Sequence, residues 1–86
     1  MKLSIIIPCF NEERTISQVI QKILKQEQID KEIIIVNDGS TDNTIDQIKK
    51  IPDNSKNLHL INHKNNLGKG AALVTGFKNA TGDLIL

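Results

Sequence analysis

The sequence predicts an open, parallel α/β fold in which helices flank the faces of one sheet. Four short apolar runs, the first two rich in isoleucine, alternate with three segments whose apolar residues recur at helical spacing. The connections are short, and the order is β-α-β-α-β-α-β. Because parallel strands are joined by right-handed crossovers through a helix, this order indicates a single parallel sheet. The 86 residues suffice for one small domain.

The first predicted strand and helix lie at the beginning of the chain. The run LSIII (3–7) is apolar and is closed by Pro8, which indicates a strand buried on both faces. From Thr15 the apolar residues change to helical spacing, and a capping box between Thr15 and Gln18 is expected to start the helix. The expected buried stripe consists of Ile16, Val19, Ile20, Ile23 and Leu24.

The second strand and helix repeat this pattern. EIIIV (32–36) is predicted as a strand that is also buried on both faces. The second helix is expected at 42–50, with Ile45 and Ile48 towards the sheet and Pro52 as its stop.

The remaining elements are a strand, a helix and a further strand. LHLIN (58–62) and DLIL (83–86) are predicted as strands, and a helix is expected at 71–80 with Gly82 as its C-terminal stop. The buried side of that helix is expected to carry Leu73, Phe77 and Ala80. Because an apolar edge strand needs a pairing partner, residues 1–86 are expected to be the N-terminal part of a longer domain. The alternative is a small natural α/β domain with a ragged end.

Composition narrows the function classes. The net charge is +1 and aromatic residues make up 2% of the chain, which disfavours a nucleic-acid-binding surface. The single cysteine, Cys9, excludes a disulfide within the chain and argues against a cysteine-based zinc site. No run approaches the roughly 18 apolar residues that span a bilayer, and the first apolar run ends too early for a signal peptide. We expect a cytoplasmic chain, at the inner face of the membrane if a full-length protein is membrane-attached.

Three polar loops are expected to meet at one edge of the sheet. They are PCFNEE (8–13, the first loop), NDGSTD (37–42, the second loop) and HKNNLGKG (63–70, the third loop). The carboxyl ends of parallel strands share one edge, and ligands bind in the crevice outside it. Each loop precedes a helix, so free backbone N–H groups and a positive helix end are expected there. The sequence therefore predicts a site for a phosphate-bearing ligand.

The second loop carries more polar residues than a turn requires. Asn37 and Asp38 suit Asx turns, Gly39 suits a positive φ, and one hydroxyl or acid within 40–42 suffices to cap the next helix. Asp38 is also expected at a strand tip facing the crevice. Its carboxylate there can accept hydrogen bonds from nucleobase N–H groups or ribose hydroxyls. The residues alone leave both interpretations open.

The first and third loops hold further candidates, each with a structural alternative. Phe10 either stacks on a base or packs beneath its loop, and Asn11 suits a helix cap. Glu12 either contacts the ligand or is a favourable acid near the start of a helix. Lys69 either approaches a diphosphate or is a solvated lysine.

Two further patterns argue against a common phosphate-binding loop and against a histidine metal site. LGKG lacks the residue spacing of the Walker A loop and of the dinucleotide-binding loop. His59 and His63 are expected on one side of the third strand, but no cysteine or acid lies between them to complete a metal site.

Three segments together resemble glycosyltransferase family 2. They are SIIIPCFNEE, IVNDGSTDNT and NLGKGAALVTGFKNATGD, in this order and spacing. The KGAAL and ATGD details are most similar to the polyprenyl-phosphate glycosyltransferases of the dolichyl-phosphate mannose synthase type. The resemblance implies the Rossmann-like, nucleotide-binding half of a GT-A fold. It also implies transfer of a sugar from a UDP- or GDP-sugar to polyprenyl phosphate or a growing glycan, with Mg²⁺ or Mn²⁺.

The resemblance also assigns candidate residues. It places the first loop against the nucleoside, Asp38 at the base ring and the third loop, including Asn66, along the nucleotide site. The candidates for binding the nucleotide-sugar are Pro8, Phe10, Asn11, Glu12, Asp38, Gly68 and Lys69. The family's metal ligands and catalytic carboxylate would follow the strand that begins at Asp83, so neither is assigned within 1–86. The alternatives are a non-catalytic nucleotide-binding module and an inactive fragment.

Overall fold

The computed structural model describes residues 1–51 and 57–85 and shows a four-stranded, all-parallel sheet with helices on both faces. The strands are β1 (Leu3–Cys9), β2 (Lys31–Asp38), β3 (Leu58–His63) and β4 (Leu84–Ile85), and the helices are α1 (Ile16–Leu24), α2 (Thr44–Lys49) and α3 (Lys69–Asn79). The strand order is β3-β2-β1-β4. The predicted fold class is confirmed. Pro52 and Leu86, which enter two of the predictions, lie outside the described residues.

Strand β2 forms the centre of the core. Its residues 33–36, three isoleucines and a valine, are each at most 1% exposed. Because successive side chains point to opposite faces, Ile33 and Ile35 pack with α1 and α2, while Ile34 and Val36 pack with α3. Each such side chain stabilises the fold by about 1.5–3 kcal/mol through burial. The prediction that this strand is buried on both faces is correct.

Strand β1 continues two residues beyond its predicted end, through Pro8 to Cys9. The Leu3 N–H donates to Asp30 O on the β2 side, whereas Lys2 O accepts from the β4 side, so even-numbered residues of β1 turn their backbone N towards β4. Between residues that the structure describes, β4 pairs with β1 at residues 3 and 4. No described residue of β4 lies opposite Pro8, so within this part of the chain Pro8 removes no ladder hydrogen bond, and the strand tolerates it.

Helices α1 and α2 differ in detail from the prediction. The capping box between Thr15 and Gln18 is absent, because the Thr15 hydroxyl donates to Glu12 Oε2 at 3.3 Å instead. Within the predicted stripe Ile16 and Ile20 are buried, but Val19 is 42% exposed. Helix α2 is shorter than predicted and keeps Ile48 buried; Ile45 is half-buried.

Helix α3 lies very close to the sheet. Ala72 and Gly76 form its buried face, and a Cβ at Gly76 would overlap Ile6 Cγ2. The prediction that Phe77 is buried is wrong, since its ring is 49% exposed. Consecutive residues of an α-helix are rotated by roughly 100° about the helix axis. Because Gly76 faces the sheet, Phe77 points away from it. Leu73 packs partly against this core, as predicted.

A buried carboxylate links β1, β2 and the turn before β4. Glu32 is 3% exposed, and its Oε2 accepts from Ser4 Oγ and from the Thr81 N–H, both at 2.6 Å. Lys2 Nζ lies 3.9 Å from Oε1. Glu32, Ser4, Thr81 and Lys2 form what we term the Glu32 cluster.

Gly82 has a different role from the one predicted. Helix α3 ends at Asn79, and Gly82 does not cap it. The Gly82 N–H donates to Ser4 Oγ at 2.8 Å, and a Cβ at this position would lie 2.5 Å from the same oxygen. Glycine is therefore required here by the close approach of the chain to β1.

The Glu32 cluster makes stability sensitive to acid. Burial alone would raise the pKa of Glu32, but hydrogen bonds from Ser4 and Thr81, with the charge of Lys2, lower it from 4.5 to about 2. Because the folded pKa lies below the unfolded one, this stabilisation is complete above pH 4.5 and is lost as the pH falls towards 2. We expect Glu32→Gln to lower the free energy of unfolding at neutral pH, and the deficit to shrink over that acidic range.

Urea titrations of both proteins at several pH values measure this effect. Glu27→Gln, which neutralises an exposed carboxylate outside the cluster, is the matched control. A wild-type advantage over Glu32→Gln that stays constant from neutral pH down to pH 2 would contradict the assignment.

Among the described residues, none of the helices combines the length and apolar character needed to cross a lipid bilayer.

Candidate functional site

A crevice of about 340 Å³ lies at the carboxyl edge of the sheet, where the three loops were predicted to meet. Its lining consists of Pro8, Cys9, Phe10, Glu12, Asp38, Asn66, Gly68, Lys69 and Ala72. The predicted site residues are thus brought together at one crevice, with the exception of Asn11. The strands extend further into the loops than predicted, so Asp38 is the last residue of β2 and His63 the last of β3.

Asn11 connects the first two loops instead of lining the crevice. Its φ is 52°, in the left-handed region that asparagine tolerates better than most residues. Its Oδ1 accepts from the Thr41 N–H at 2.8 Å, and its own N–H donates to Ser40 Oγ at 2.9 Å. The prediction that Asn11 caps a helix is wrong, because α1 begins at Ile16 after Thr15.

Side chains that follow β2 bind three consecutive backbone N–H groups of the first loop. The pairs are Asn11 with Ser40 Oγ (2.9 Å), Glu12 with Thr44 Oγ1 (2.9 Å) and Glu13 with Asp42 Oδ2 (3.4 Å). This explains why so many polar residues follow one another after β2. It also corrects an expectation, since these N–H groups are not free for a phosphate.

Asp42 serves both loops. Its Oδ1 accepts from the Thr44 N–H at 2.9 Å and from the Thr44 hydroxyl, which binds the first residue of α2. Burial opposes ionisation of Asp42, but the hydrogen bonds from Thr44 and from the Glu13 N–H outweigh it and lower the pKa of this carboxyl group. Asp42 is therefore the acid, among the predicted candidates, that stabilises the start of α2.

Asp38 gathers the third loop around its carboxylate. Oδ1 contacts His63 Nδ1 (2.8 Å) and the Leu67 N–H (2.9 Å), while Oδ2 accepts from Asn66 Nδ2 (3.1 Å) and the Gly68 N–H (2.9 Å). The contact with His63 comes first among the causes that lower the pKa of Asp38 below its ordinary value of 3.8, followed by the Leu67 N–H. Asp38 is 3% exposed and ionised at neutral pH.

The acceptor capacity of Asp38 is already in use. A carboxylate offers about four lone-pair sites, and four donors occupy those of Asp38. The predicted contact between Asp38 and a base or ribose stays a prediction, and it requires that a ligand share or displace one of these donors. What the structure shows is that Asp38 shapes the crevice wall.

The start of α3 lies at the crevice. The first helical bond runs from the Ala72 N–H to Gly68 O at 3.1 Å, so the N–H groups of 69–71 precede the helical ladder. The positive end of the helix dipole is therefore directed to the crevice, and Lys69 adds a cationic side chain there. This is the part of the site suited to a negatively charged group.

The opposite wall is formed by the end of β1 and the first loop. Phe10 is 43% exposed on the rim, so its ring does not pack beneath the loop, and stacking on a base stays a prediction. Cys9 is 4% exposed, and burial, with the nearby charges of Glu12, Asp42 and Asp38, raises the pKa of its thiol to about 11. The thiol is therefore protonated at neutral pH and is a poor nucleophile.

The histidines face the same side of β3, as predicted, but each contacts a different acid. His63 lies opposite Asp38 in the register, and His59 Nε2 is 3.8 Å from Glu32 Oε1. Sequence reasoning missed the contact between His63 and Asp38, although both residues end adjacent strands. Within residues 1–51 and 57–85, no three His, Cys, Asp or Glu side chains are grouped so as to hold a metal ion.

A parallel α/β sheet with a helix N-terminus at a crevice on its carboxyl edge is an arrangement typical of nucleotide-binding proteins. Residues 4–86 match the family described as Glycosyl transferase family 2. The chain belongs to this family.

Two curated relatives illustrate the sequence similarity. A dolichyl-phosphate beta-glucosyltransferase of Trichomonas vaginalis is 36% identical over 92 residues, which covers 98% of this chain and 28% of that protein. A poly-beta-1,6-N-acetyl-D-glucosamine synthase of Staphylococcus aureus is 37% identical over 84 residues, which covers 98% of this chain and 20% of that protein. The chain thus spans about a quarter of the length of these relatives.

Solved structures confirm the fold. A mannosyltransferase from Pyrobaculum calidifontis in complex with GDP-Man and Mn²⁺ has a TM-score of 0.86 and 28% identity, covering 96% of this chain and 25% of that one. Glucosyl-3-phosphoglycerate synthase from Mycobacterium tuberculosis in complex with UDP has a TM-score of 0.73 and 27% identity, covering 98% of this chain and 31% of that one. The sheet and helices therefore correspond to part of a GT-A glycosyltransferase fold.

Proposed function

We propose that the crevice binds the nucleotide of a UDP- or GDP-sugar, and that this chain is the N-terminal, donor-binding part of a glycosyltransferase. The observation that carries the proposal is the convergence of the first loop, Asp38 and the start of α3 on one crevice. The family membership and the nucleotide complexes of the similar structures support it. A crevice of about 340 Å³ lies in the range of small-molecule sites, roughly 300–1,000 Å³.

The two walls suit the two chemical parts of a nucleotide. Phe10 offers an exposed aromatic face for the base, and Glu12 offers a carboxylate that accepts hydrogen bonds from ribose hydroxyls. Lys69 and the N–H groups at the start of α3 offer positive charge for the phosphates. Pro8, on the wall with Phe10, and Gly68, directly before α3, also line the crevice.

The acceptor, the metal ion and the cellular location are further parts of this proposal. The names of the relatives support polyprenyl phosphate or a growing glycan as the acceptor. A role in cell-wall or glycan biosynthesis is part of the same proposal. We further propose that Mg²⁺ or Mn²⁺ accompanies the donor, as Mn²⁺ does in the similar mannosyltransferase structure. No cluster of ligands for that metal is present among residues 1–51 and 57–85. The cytoplasmic location expected from the sequence is part of this proposal.

Nucleotide titration tests the proposal. We expect UDP or GDP to shift the backbone amide resonances of the first loop and of residues 66–71 in a saturable manner. We also expect Phe10→Ala to weaken binding by roughly fivefold to a hundredfold, since stacking on a base is worth about 1–3 kcal/mol. The matched control is Phe77→Ala, which removes the other exposed ring, 49% accessible and outside the crevice.

Two outcomes would contradict the proposal. One is a folded chain whose amide resonances do not shift at about 10 mM nucleotide, since that concentration detects a Kd near 1 mM, or about −4 kcal/mol. The other is equal weakening by Phe10→Ala and Phe77→Ala. Nucleotide binding without sugar transfer by the full-length protein would favour a non-catalytic binding module instead.

A further inference from the structure

His63 connects the carboxylate of Asp38 to helix α3. Its Nδ1 lies 2.8 Å from Asp38 Oδ1, and its Nε2 lies 2.8 Å from Thr75 Oγ1. The imidazole side chain is 10% exposed, so both ring nitrogens are used within the fold. The imidazole therefore forms a bridge between the end of β2 and the middle of α3.

The chemistry of the partners determines the direction of these hydrogen bonds. An ionised carboxylate only accepts, so His63 Nδ1 carries a hydrogen and donates it to Asp38. A hydroxyl both donates and accepts, so Thr75 Oγ1 donates to a neutral ring and accepts from a protonated one. The contact with Asp38 is therefore kept in both charge states of His63. Asp38 is the one charged group that contacts the ring among the described residues.

The third loop depends on the orientation that this bridge fixes. The same carboxylate oxygen that His63 contacts also accepts from the Leu67 N–H, and the other oxygen accepts from the Gly68 N–H. Rotation of the carboxylate would break both loop contacts together. Gly68 immediately precedes α3 and lines the crevice, so the loop geometry sets where the start of α3 and Lys69 lie.

We propose that His63 is a positioning residue of the crevice, which holds Asp38 in the orientation that assembles the third loop for ligand binding. The inference rests on the proposed nucleotide site for its ligand, but the loop geometry can be tested without any ligand. The imidazole itself does not line the crevice and makes no contact with a ligand in this assignment.

Three substitutions separate the two contacts of the ring. His63→Ala removes both. His63→Asn keeps an amide N–H near the position of Nδ1, and so keeps the donor to Asp38. His63→Gln extends its amide towards Thr75 and loses that donor. His59→Asn is the matched control, because His59 lies on the same side of β3 but at the far end from the crevice.

The first measurement uses NMR spectra of the 86-residue chain without nucleotide. In the wild type we expect the His63 ring to be protonated at Nδ1 and the Leu67 and Gly68 amide protons to be shifted downfield by the carboxylate. His63→Ala and His63→Gln are expected to lose that downfield shift, while His63→Asn and His59→Asn retain it. Unchanged Leu67 and Gly68 resonances in His63→Ala would overturn the inference, as would loss of the shift in His63→Asn.

The second measurement is the nucleotide Kd. We expect His63→Ala to weaken binding about tenfold, the scale of one hydrogen bond to a charged group, and His63→Asn to restore most of the affinity. Equal affinity of wild type and His63→Ala would overturn the positioning role. A wild type that binds no nucleotide would overturn the proposed function, while the amide resonances would still decide the role of His63 in the loop. If His63→Ala does not fold, the comparison of His63→Asn with His63→Gln decides both points.

Discussion

Replacing Asp38 with alanine is expected, under the proposed function, to weaken nucleotide binding by roughly a hundredfold and to raise the donor KM of sugar transfer by a similar factor. The carboxylate is the common acceptor for four donors of the third loop and β3. Its removal leaves the Leu67 and Gly68 N–H groups without their partner, so the loop cannot keep its conformation. This effect should exceed that of any His63 variant, because His63 contacts the carboxylate but makes no hydrogen bond to Leu67 or Gly68 itself.

The control is Asp46→Ala, which removes an exposed carboxylate on α2 and changes the net charge by the same amount as Asp38→Ala. Asp38→Asn is expected to be nearly as damaging as Asp38→Ala, since its NH₂ group would face N–H donors that require an acceptor. Nucleotide titration followed by amide NMR measures Kd, and initial rates of the proposed sugar transfer give the donor KM. A donor KM unchanged by Asp38→Ala would remove Asp38 from the site.

Replacing Gly39 with alanine is expected to lower the free energy of unfolding by about 3–4 kcal/mol. Gly39 has a φ of 74°, a conformation that alanine adopts only with strain. A Cβ there would also lie 2.5 Å from the backbone N of Asn66 and 2.6 Å from the backbone C of Asn65. Because both contacts are with backbone atoms, the third loop itself would have to move.

Alanine substitutions at two other glycines distinguish the cost of backbone strain from the cost of steric overlap with an added Cβ. Gly68 has a φ of 101° and a ψ of 158°, a combination nearly confined to glycine, but nothing lies within 4 Å of an added Cβ, so Gly68→Ala is expected to cost about 1–3 kcal/mol from strain alone. Gly70 has free space and lies in the first turn of α3, so Gly70→Ala is expected to be neutral or to stabilise by up to about 1 kcal/mol. Urea denaturation gives all three values. If Gly39→Ala lowers the free energy of unfolding no more than Gly68→Ala does, the third loop moves away from the added Cβ without an energetic cost, and the expected effect of the overlap is wrong.

The sequence was sufficient where one residue type determines the outcome locally. Uninterrupted aliphatic residues predicted β2, and the alternation of strands and helices predicted which loops would share an edge. The sequence did not predict features that depend on contacts between residues far apart in the chain. Nothing in EIIIV shows that Glu32 would be buried, because its partners Ser4 and Thr81 are remote in sequence.

The same limit applies at the crevice and on α3. Hydrophobic periodicity predicted that Phe77 is buried. In the structure, the small residues Ala72 and Gly76 form the face of α3 that lies closest to the sheet. Sequence reasoning placed Asp38 correctly at a strand tip, yet treated the backbone N–H groups of the loops as free. Which of those groups are free depends on how neighbouring loops pack, and spacing along one chain does not contain that information.

The position of β4 also affects the order in which parts of the fold open. Among the described residues, β4 pairs with β1 at Leu3 and Ser4, and it joins segments about eighty residues apart in sequence. Leu84 and Ile85 are about half exposed, so this pairing is expected to open before the buried central strands do. The crevice lies at the opposite end of β1, beyond Pro8, where β1, β2 and β3 hold one another without β4. Partial opening at β4 would therefore leave the crevice intact, and the site and the sheet edge belong to regions of different local stability.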